Sequence, residues 1–404
     1  MTVPALLRRA TMPLRLASRR AGAASLELLV RGAAALHGVS GTNPSAADSL
    51  PDAPRSIFIL RNNDIGDLLV VTPLFAALRR RFPEAAITAG VGRWSLPVLE
   101  RNPHLTEVLT VEAPWFNKYQ GRQGTLNRLW YLARSPQVRE LKQRRFAVGI
   151  DVLGSAWGSL LLLRAGIPYR LGVSGYAGGD SAAQDVVTFD PSEHVSRAAL
   201  RFAELLGATA LPPCRPQLFL SPEEAAAGEQ WWAASAGDRR GVRVVIGPGG
   251  GLAQKCWPGA SFLALAGGLR STPGLSVLAL GGPRERQLTA AVAAAAGGRS
   301  HDEPPGLREV FALVAASDLV ICNSSMLLHV AAAFAKPTLT LLGPAFLSAS
   351  QHQAQWGYEG ICRSLGREPA GRGVATPTEA LEAVREHLAK LPIAGHAGDA
   401  AARA

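Results

Sequence analysis

Two apolar runs, each closed by a glycine-containing turn and followed by an amphipathic helical pattern, constrain this chain more than any other feature. The first, Ile57-Phe58-Ile59-Leu60, leads into Arg61-Asn62-Asn63-Asp64-Ile65-Gly66-Asp67. The second, Val242-Arg243-Val244-Val245-Ile246, leads into Gly247-Pro248-Gly249-Gly250-Gly251-Leu252-Ala253-Gln254-Lys255-Cys256-Trp257-Pro258. Each reads as a buried strand, a turn and a helix, the opening of an α/β unit. The first turn sets a carboxylate at a helix start. The second offers backbone N–H groups and a lysine, the parts of an anion cradle. Together they predict two α/β domains facing each other across a cleft, with a base on one wall and an anion site on the other.

A length of 404 residues suits two or three domains, and 48% hydrophobic residues are ample for their cores. The formal charge of +11 points to an anionic partner (a phospholipid surface, nucleic acid or an acidic glycolipid) or to a merely solvated basic surface. Nucleic acid is disfavoured, because the basic residues are dispersed and no recognised binding module is present. Cys214, Cys256, Cys322 and Cys362 are scattered, with no Cys-x-x-Cys or Cys/His cluster. That argues against a zinc site and suits a reduced compartment, with Cys256 and Cys322 as packed thiols. No apolar stretch reaches membrane-span length; Leu319 to Ala335 is broken by Asn323, Ser324, Ser325 and His329. Met1 to Ala35 is arginine-rich and lacks the form of a secretory signal. It reads as a basic amphipathic helix lying on a membrane, or as a poorly ordered extension.

Residues 1–55 are accordingly an N-terminal extension and linker. Residues 56–222 form a first α/β domain, with strands over 56–61, 86–91, 107–111 and 146–152. Its helices fall over 67–81, 94–100, 126–145, 155–165 and 193–206, and the Gly/Ser/Asp-rich stretch 174–192 reads as a loop. Residues 223–375 form a second α/β domain, with strands over 242–246, 275–280, 318–322 and 338–342. Helices over 260–270, 284–296, 307–316 and 326–335 lie between them. Residues 376–404 hold a last helix (378–391) and a disordered tail. Strands alternating with helices imply parallel sheets.

The ordered motifs resemble glycosyltransferase family 9, best known for ADP-heptose:lipopolysaccharide heptosyltransferases. They are Gly66-Asp67 with Thr72-Pro73-Leu74, Arg79 to Pro83, Asn102-Pro103, Asp151 to Gly154, Gly247 to Pro258, Gly281 to Glu285, Ala316 to His329, and Lys336-Pro337. The resemblance runs from about Ile57 to Leu391 and implies a GT-B architecture of two Rossmann-like domains. The acceptor site would lie mainly on the first and the nucleotide-sugar site mainly on the second. Asp67 matches the family's catalytic base, which takes the acceptor hydroxyl's proton as that oxygen attacks the anomeric carbon. Taken alone, Asp67 reads rather as an aspartate complementing a helix N-terminus, since Gly-Asp at a helix start is common. Asp64 is the nearby alternative carboxylate. Gly249, Gly250 and Gly251 would cradle a diphosphate, and Lys255 would neutralise the leaving nucleotide without a metal ion. Glu285 matches a carboxylate that contacts the ribose or sugar; a solvent-facing glutamate is the other reading.

The sequence departs from the family where Asp-Ser/Thr-Gly-x-x-His is usual. Ser324 stands for the acidic residue and Met326 for the glycine. Ser325 would cap the helix or bind a phosphate oxygen, and His329 would contact the nucleotide or be a structural histidine. Trp157, where many members place a basic residue, offers a stacking face for a sugar or for the core. The resemblance implies an inverting, metal-independent transferase with no cofactor. Its donor would be a nucleotide sugar, ADP-heptose by default, and its acceptor a lipid-linked or core oligosaccharide. It would sit in the cytoplasm, in peripheral contact with the anionic inner face of the inner membrane. The competing classes are a nucleotide-sugar 2-epimerase and a binding protein that has lost turnover.

Overall fold

The structure is a computed structural model describing residues 53–121, 123–236, 241–366, 368 and 374–390, together with Leu28, Val30 and Gly32. It divides into two compact units. One holds Met1–Leu96, Pro103–Asp190 and Arg197–Pro212; the other holds Pro97–Asn102, Pro191–Ser196 and Pro213–Ala404. The second unit therefore takes in Pro213 to Pro222, assigned above to the first domain, along with two short earlier segments.

The first unit is built on a sheet of β1 (Ser56–Leu60), β2 (Ala86–Val91), β3 (Glu107–Thr110), β4 (Val148–Asp151), β5 (Tyr169–Ser174) and β6 (Asp185–Thr188). Its order is β3-β2-β1-β4-β5-β6, and every pairing is parallel. The expected helix over 67–81 is two helices, α1 (Ile65–Leu69) and α2 (Thr72–Arg81), with Pro73 in the first turn of the second. Proline is tolerated there because the first-turn N–H has no intrahelical partner. Downstream come the short α3 (Leu96–Leu99), counted with the second unit from Pro97 on, then α4 (Thr125–Arg134) and α5 (Pro136–Arg144) in place of one helix over 126–145. Ser135 ends α4 in an extended conformation, as a residue before proline must, and its hydroxyl caps α5 by accepting from the Gln137 N–H at 3.2 Å. Helices α6 (Ala156–Arg164) and α7 (Val195–Leu205) complete the unit's main elements. β6 lies inside the stretch read as a loop. Two valines flanked by Gly- and Ser-rich sequence are too short a period-2 signal to stand out.

The second unit begins with α8 (Pro222–Ala236), which was not anticipated. Its sheet comprises β7 (Val242–Gly247), β8 (Leu275–Ala279), β9 (Arg299–Ser300), β10 (Leu319–Asn323), β11 (Thr338–Leu341) and β12 (Cys362–Leu365). The order is β12-β11-β10-β7-β8-β9, again all parallel. Counted from each unit's first strand, both sheets have the doubly wound order 3-2-1-4-5-6. Helices α9 (Gly259–Arg270), α10 (Arg286–Ala296), α11 (Leu307–Ala315), α12 (Met326–Ala333), α13 (Ala349–Trp356) and α14 (Pro377–Leu388) complete it. Ala380, Ala383, Val384 and Leu388 of α14 pack into the same core as Val244, Ile246, Trp257 and Phe262, so this last helix belongs to the second unit's core.

The tail beyond 390 and most of the N-terminal extension lie outside the described residues. Within the extension Val30 is buried against Leu163 and Ala182, while Leu28 is exposed. Among the described residues no helix is long and apolar enough to cross a membrane.

Candidate functional site

In a doubly wound sheet, ligands bind beyond the carboxyl ends of the strands, where the order reverses. In the first unit that point lies between β1 and β4; in the second, between β7 and β10. Every polar group singled out in the two turns lies at one of these points.

At the first, β1 and β4 run side by side with Leu60 opposite Asp151. One oxygen of Asp67 accepts the Asp64 N–H at 3.3 Å. The other lies 3.7 Å from the Arg61 guanidinium, whose Nε also donates to the Asp67 carbonyl at 3.1 Å. The Asp67 side chain remains 36% exposed, so a reactant can reach it. Asp64 is engaged differently: it accepts the Lys118 N–H at 3.2 Å and sits 3.6 Å from the Lys118 ammonium. Asn62 and Asn63, both buried, donate to the carbonyls of Ala113, Trp115 and Phe116 and so pin the loop after β3 to this turn.

Asp151 is a polar residue whose setting the sequence did not reveal. It is buried at the end of β4, and its Oδ2 accepts the Ser155 N–H at 2.8 Å. Burial pushes its carboxyl up from the ordinary 3.8 to about 6, against the Ser155 N–H and the Arg61 charge, which favour the anion. Trp157 takes the core reading: it is buried and stacks on Trp115 with ring centroids 6.1 Å apart. A cation is nevertheless close, since the Arg128 guanidinium lies 5.3 Å from the Trp157 ring centre.

At the second point the glycine loop follows β7. Its anchor is Asn323, the last residue of β10, which is buried. The Asn323 amide donates to the carbonyls of Pro248 (2.8 Å) and Gly249 (3.0 Å), and its oxygen accepts the Trp257 N–H at 2.7 Å. One side chain thus ties both ends of the loop to the neighbouring strand. The sequence signal was a polar residue interrupting an apolar strand, read there only as an interruption.

Gly249 lies against Glu285: a Cβ on Gly249 would come within 2.3 Å of the Glu285 Cγ. Glu285 is held in turn by the Gly282 N–H, which donates to its carboxylate at 2.6 Å. Gly250 abuts the Cys256 thiol, while Gly251 is exposed. Lys255 sits on a 3-10 turn (Ala253–Lys255), exposed, with its ammonium 5.9 Å from the Phe346 ring centre. The segment after β11 fixes this turn from the other side, Gly343 donating to the Lys255 carbonyl and Ala345 to that of Gln254.

Ser324 and Ser325 differ. The Ser324 hydroxyl is 2.8 Å from Nε2 of His352, whose Nδ1 is 2.8 Å from the Ser364 hydroxyl. His352 is buried, and its pKa is pushed down to about 4 by burial and then by the Lys255 charge, so a neutral ring supports Ser324. Ser325 occupies the N-cap position of α12 without making a side-chain capping bond. His329 takes the structural alternative. It is buried, its Nδ1 lies 2.8 Å from the Tyr358 hydroxyl, and burial together with His352 and His194 pushes its pKa down to about 3. The structure therefore brings Gly249 together with Glu285, and Ser324 into a chain with His352, Phe346 and Lys255. It keeps His329 in the interior.

Two parallel sheets of Rossmann-like order, each with a polar turn at its switch point, define the GT-B class of α/β protein. The family model of glycosyltransferase family 9 (heptosyltransferase) matches residues 136–355, more than half of the chain. The chain belongs to this family and is a glycosyltransferase. It is 25% identical over 316 residues to lipopolysaccharide heptosyltransferase 2 of Escherichia coli strain K12, covering 74% of this chain and 86% of that protein. It is 23% identical over 305 residues to the lipopolysaccharide core heptosyltransferase OpsX of Haemophilus influenzae, covering 72% and 79%. Its fold matches a family 9 glycosyl transferase of Veillonella parvula with a TM-score of 0.68 at 17% identity, over 85% of this chain and all of that one. It also matches the E. coli ADP-heptose heptosyltransferase II with a TM-score of 0.64 at 21% identity, over 83% and 98%.

Proposed function

We propose that this enzyme transfers a sugar, heptose by default, from a nucleotide-diphosphate donor to a hydroxyl of a lipopolysaccharide-core or other lipid-linked envelope glycan. The observation that carries the reading is the glycine loop tied down by Asn323, with Lys255 on its rim and Glu285 against Gly249. Backbone N–H groups of Gly249, Gly250 and Gly251 and the Lys255 ammonium supply positive potential for a diphosphate, and Glu285 accepts hydroxyl hydrogen bonds from the ribose or sugar. Ser324, supported by His352, offers a neutral partner to the donor sugar.

In the proposed reaction the acceptor oxygen attacks the anomeric carbon from the face opposite the diphosphate, and the configuration inverts. Its proton passes to the Asp67 carboxylate. The bond from the anomeric carbon to the diphosphate oxygen breaks, and the nucleoside diphosphate leaves with its charge met by Lys255. No metal ion is needed in this scheme, because lysine and backbone dipoles do the neutralising. A lipid-linked acceptor places the work at a membrane surface, which suits the +11 charge.

The test is product analysis with ADP-heptose and other nucleotide sugars, the anomeric configuration read by NMR, with and without chelator. Inversion and survival of activity in EDTA are expected. Retention of configuration, or loss of activity restored by a divalent cation, would overturn the scheme. In the same assay Lys255→Ala should weaken donor binding while acceptor affinity stays; unchanged nucleotide affinity would remove Lys255 from the donor site.

A further inference from the structure

Helix α4 is apolar on two sides. Tyr131 and Leu132 are buried in a core with Trp115 and Trp157. Leu126, Leu129 and Trp130 fall at i, i+3 and i+4, so they share one face, and they are exposed at 82%, 45% and 66%. Single exposed apolar residues are ordinary on protein surfaces, but three large ones on one face of a short helix mark a contact surface. Phe116 and Tyr119, in the loop before the helix, are exposed as well. That loop is firmly held: Asn62 and Asn63 bind its backbone, Tyr119 stacks on Trp94 with centroids 4.6 Å apart, and the Arg128 guanidinium lies 5.8 Å from the Phe116 ring centre.

The charge of the segment is predominantly positive, although Lys118 is paired with Asp64 at 3.6 Å. Between Glu112 and Glu140 the sequence has Lys118, Arg122, Arg128, Arg134 and Arg139, and no Asp or Glu. We propose that the exposed face of α4, with Phe116 and Tyr119, docks the enzyme on an anionic phospholipid bilayer. Leu126, Leu129 and Trp130 would enter the headgroup region, with the surrounding cations meeting lipid phosphates. An amphipathic aromatic beside aliphatic side chains suits the interfacial zone, and a basic surround adds attraction to anionic lipid. The same charge argues against a second copy as the occupant. A two-fold contact through this face would set one cluster of cations against its own image, whereas a negative surface complements it. This inference deepens the membrane contact proposed above by naming its surface.

Vesicle co-sedimentation of the full chain tests it, with neither donor nor acceptor present. The vesicles are phosphatidylcholine alone, or phosphatidylcholine with one-third phosphatidylglycerol. Binding is expected only to the anionic vesicles and should weaken as salt is raised. The double change Leu126→Gln with Trp130→Gln should weaken it by about tenfold or more, and Arg134→Gln by about fivefold. Leu126→Gln alone, at the most exposed position, should show part of the loss and keeps the test decisive if the double variant misfolds. Equal binding to both vesicle types, binding to neither, or unaltered binding by the variants overturns the proposal. So does a wild-type dimer, seen by light scattering, that the double change makes monomeric without any vesicle binding. Failure here together with retained transfer to a soluble acceptor would leave the transferase reading standing.

Discussion

Asp67 and Asp151 end up at neighbouring strand ends with opposite characters, and the difference lies in their surroundings. Asp67 is reachable and flanked by Arg61, whereas Asp151 is sealed beneath Ser155 and Gly158. Asp67→Asn should therefore leave fold and donor affinity intact while lowering turnover by about 10²–10⁴-fold, the usual cost of losing a general base. Steady-state kinetics beside nucleotide titration decide it, and turnover near wild type would exclude Asp67 as the base. Asp151 makes a stability prediction. Its folded carboxyl titrates near 6 and its ordinary value is 3.8, so across that window the folded state holds more proton than the unfolded one. Its contribution must then fall as pH rises from about 4 to about 6 and stay flat above, a change of roughly 3 kcal/mol. Asp151→Asn should remove that slope in urea unfolding measured at several pH values; an identical slope in the variant would show that another group causes it.

At the scale of elements, the strand–turn–helix units were legible because buried parallel strands are continuous apolar runs, and the two glycine turns punctuate them. The helix over 126–145 was misread as continuous because its apolar periodicity passes through Ser135-Pro136, while the proline geometry dictates two helices. Edge strands β6, β9 and β12 escaped notice because they are short and lack the continuous apolar run of the inner strands: β9 is Arg299–Ser300, β12 holds Arg363 and Ser364, and β6 has two valines between Asp185 and Thr188. The candidate site was legible where residue type carries the chemistry, as with Asp67, Lys255 and the glycines. It was illegible where distant elements supply the support, as with Asn323 from β10 and His352 from α13. The loop after β11 is such a support. A Cβ at Gly343 would lie 2.4 Å from the Cys256 carbonyl oxygen and 2.5 Å from the Lys255 carbonyl carbon, backbone atoms that cannot step aside as a flexible side chain could. Gly343→Ala should push the Lys255 turn away, weakening nucleotide binding by about tenfold or more (roughly 1–3 kcal/mol for lost polar contacts) while the far-UV spectrum is kept. Calorimetric titration with ADP reads it, and wild-type affinity would show that the turn tolerates the shift.

On the scale of the whole molecule, two sheets of identical strand order each carry their own core, so a ligand held by one need not protect the other. ADP bound at about a hundred times its dissociation constant should add about 2.7 kcal/mol to the unit it binds. Hydrogen exchange should then slow at β7 and β10 and remain unchanged at β1 and β4; equal protection of both sheets would place nucleotide contacts on the first unit as well. The packing of α14 has a different consequence. A ribosome delivers β1 to β6 before any of the second sheet, so the first sheet's strands can pair while synthesis continues. The second core, by contrast, stays incomplete until Ala380, Val384 and Leu388 emerge to join it. The second unit is thus the later to be completed, and every nascent chain passes through a stage at which the first unit's sheet has been made and the second unit's core is still unfinished.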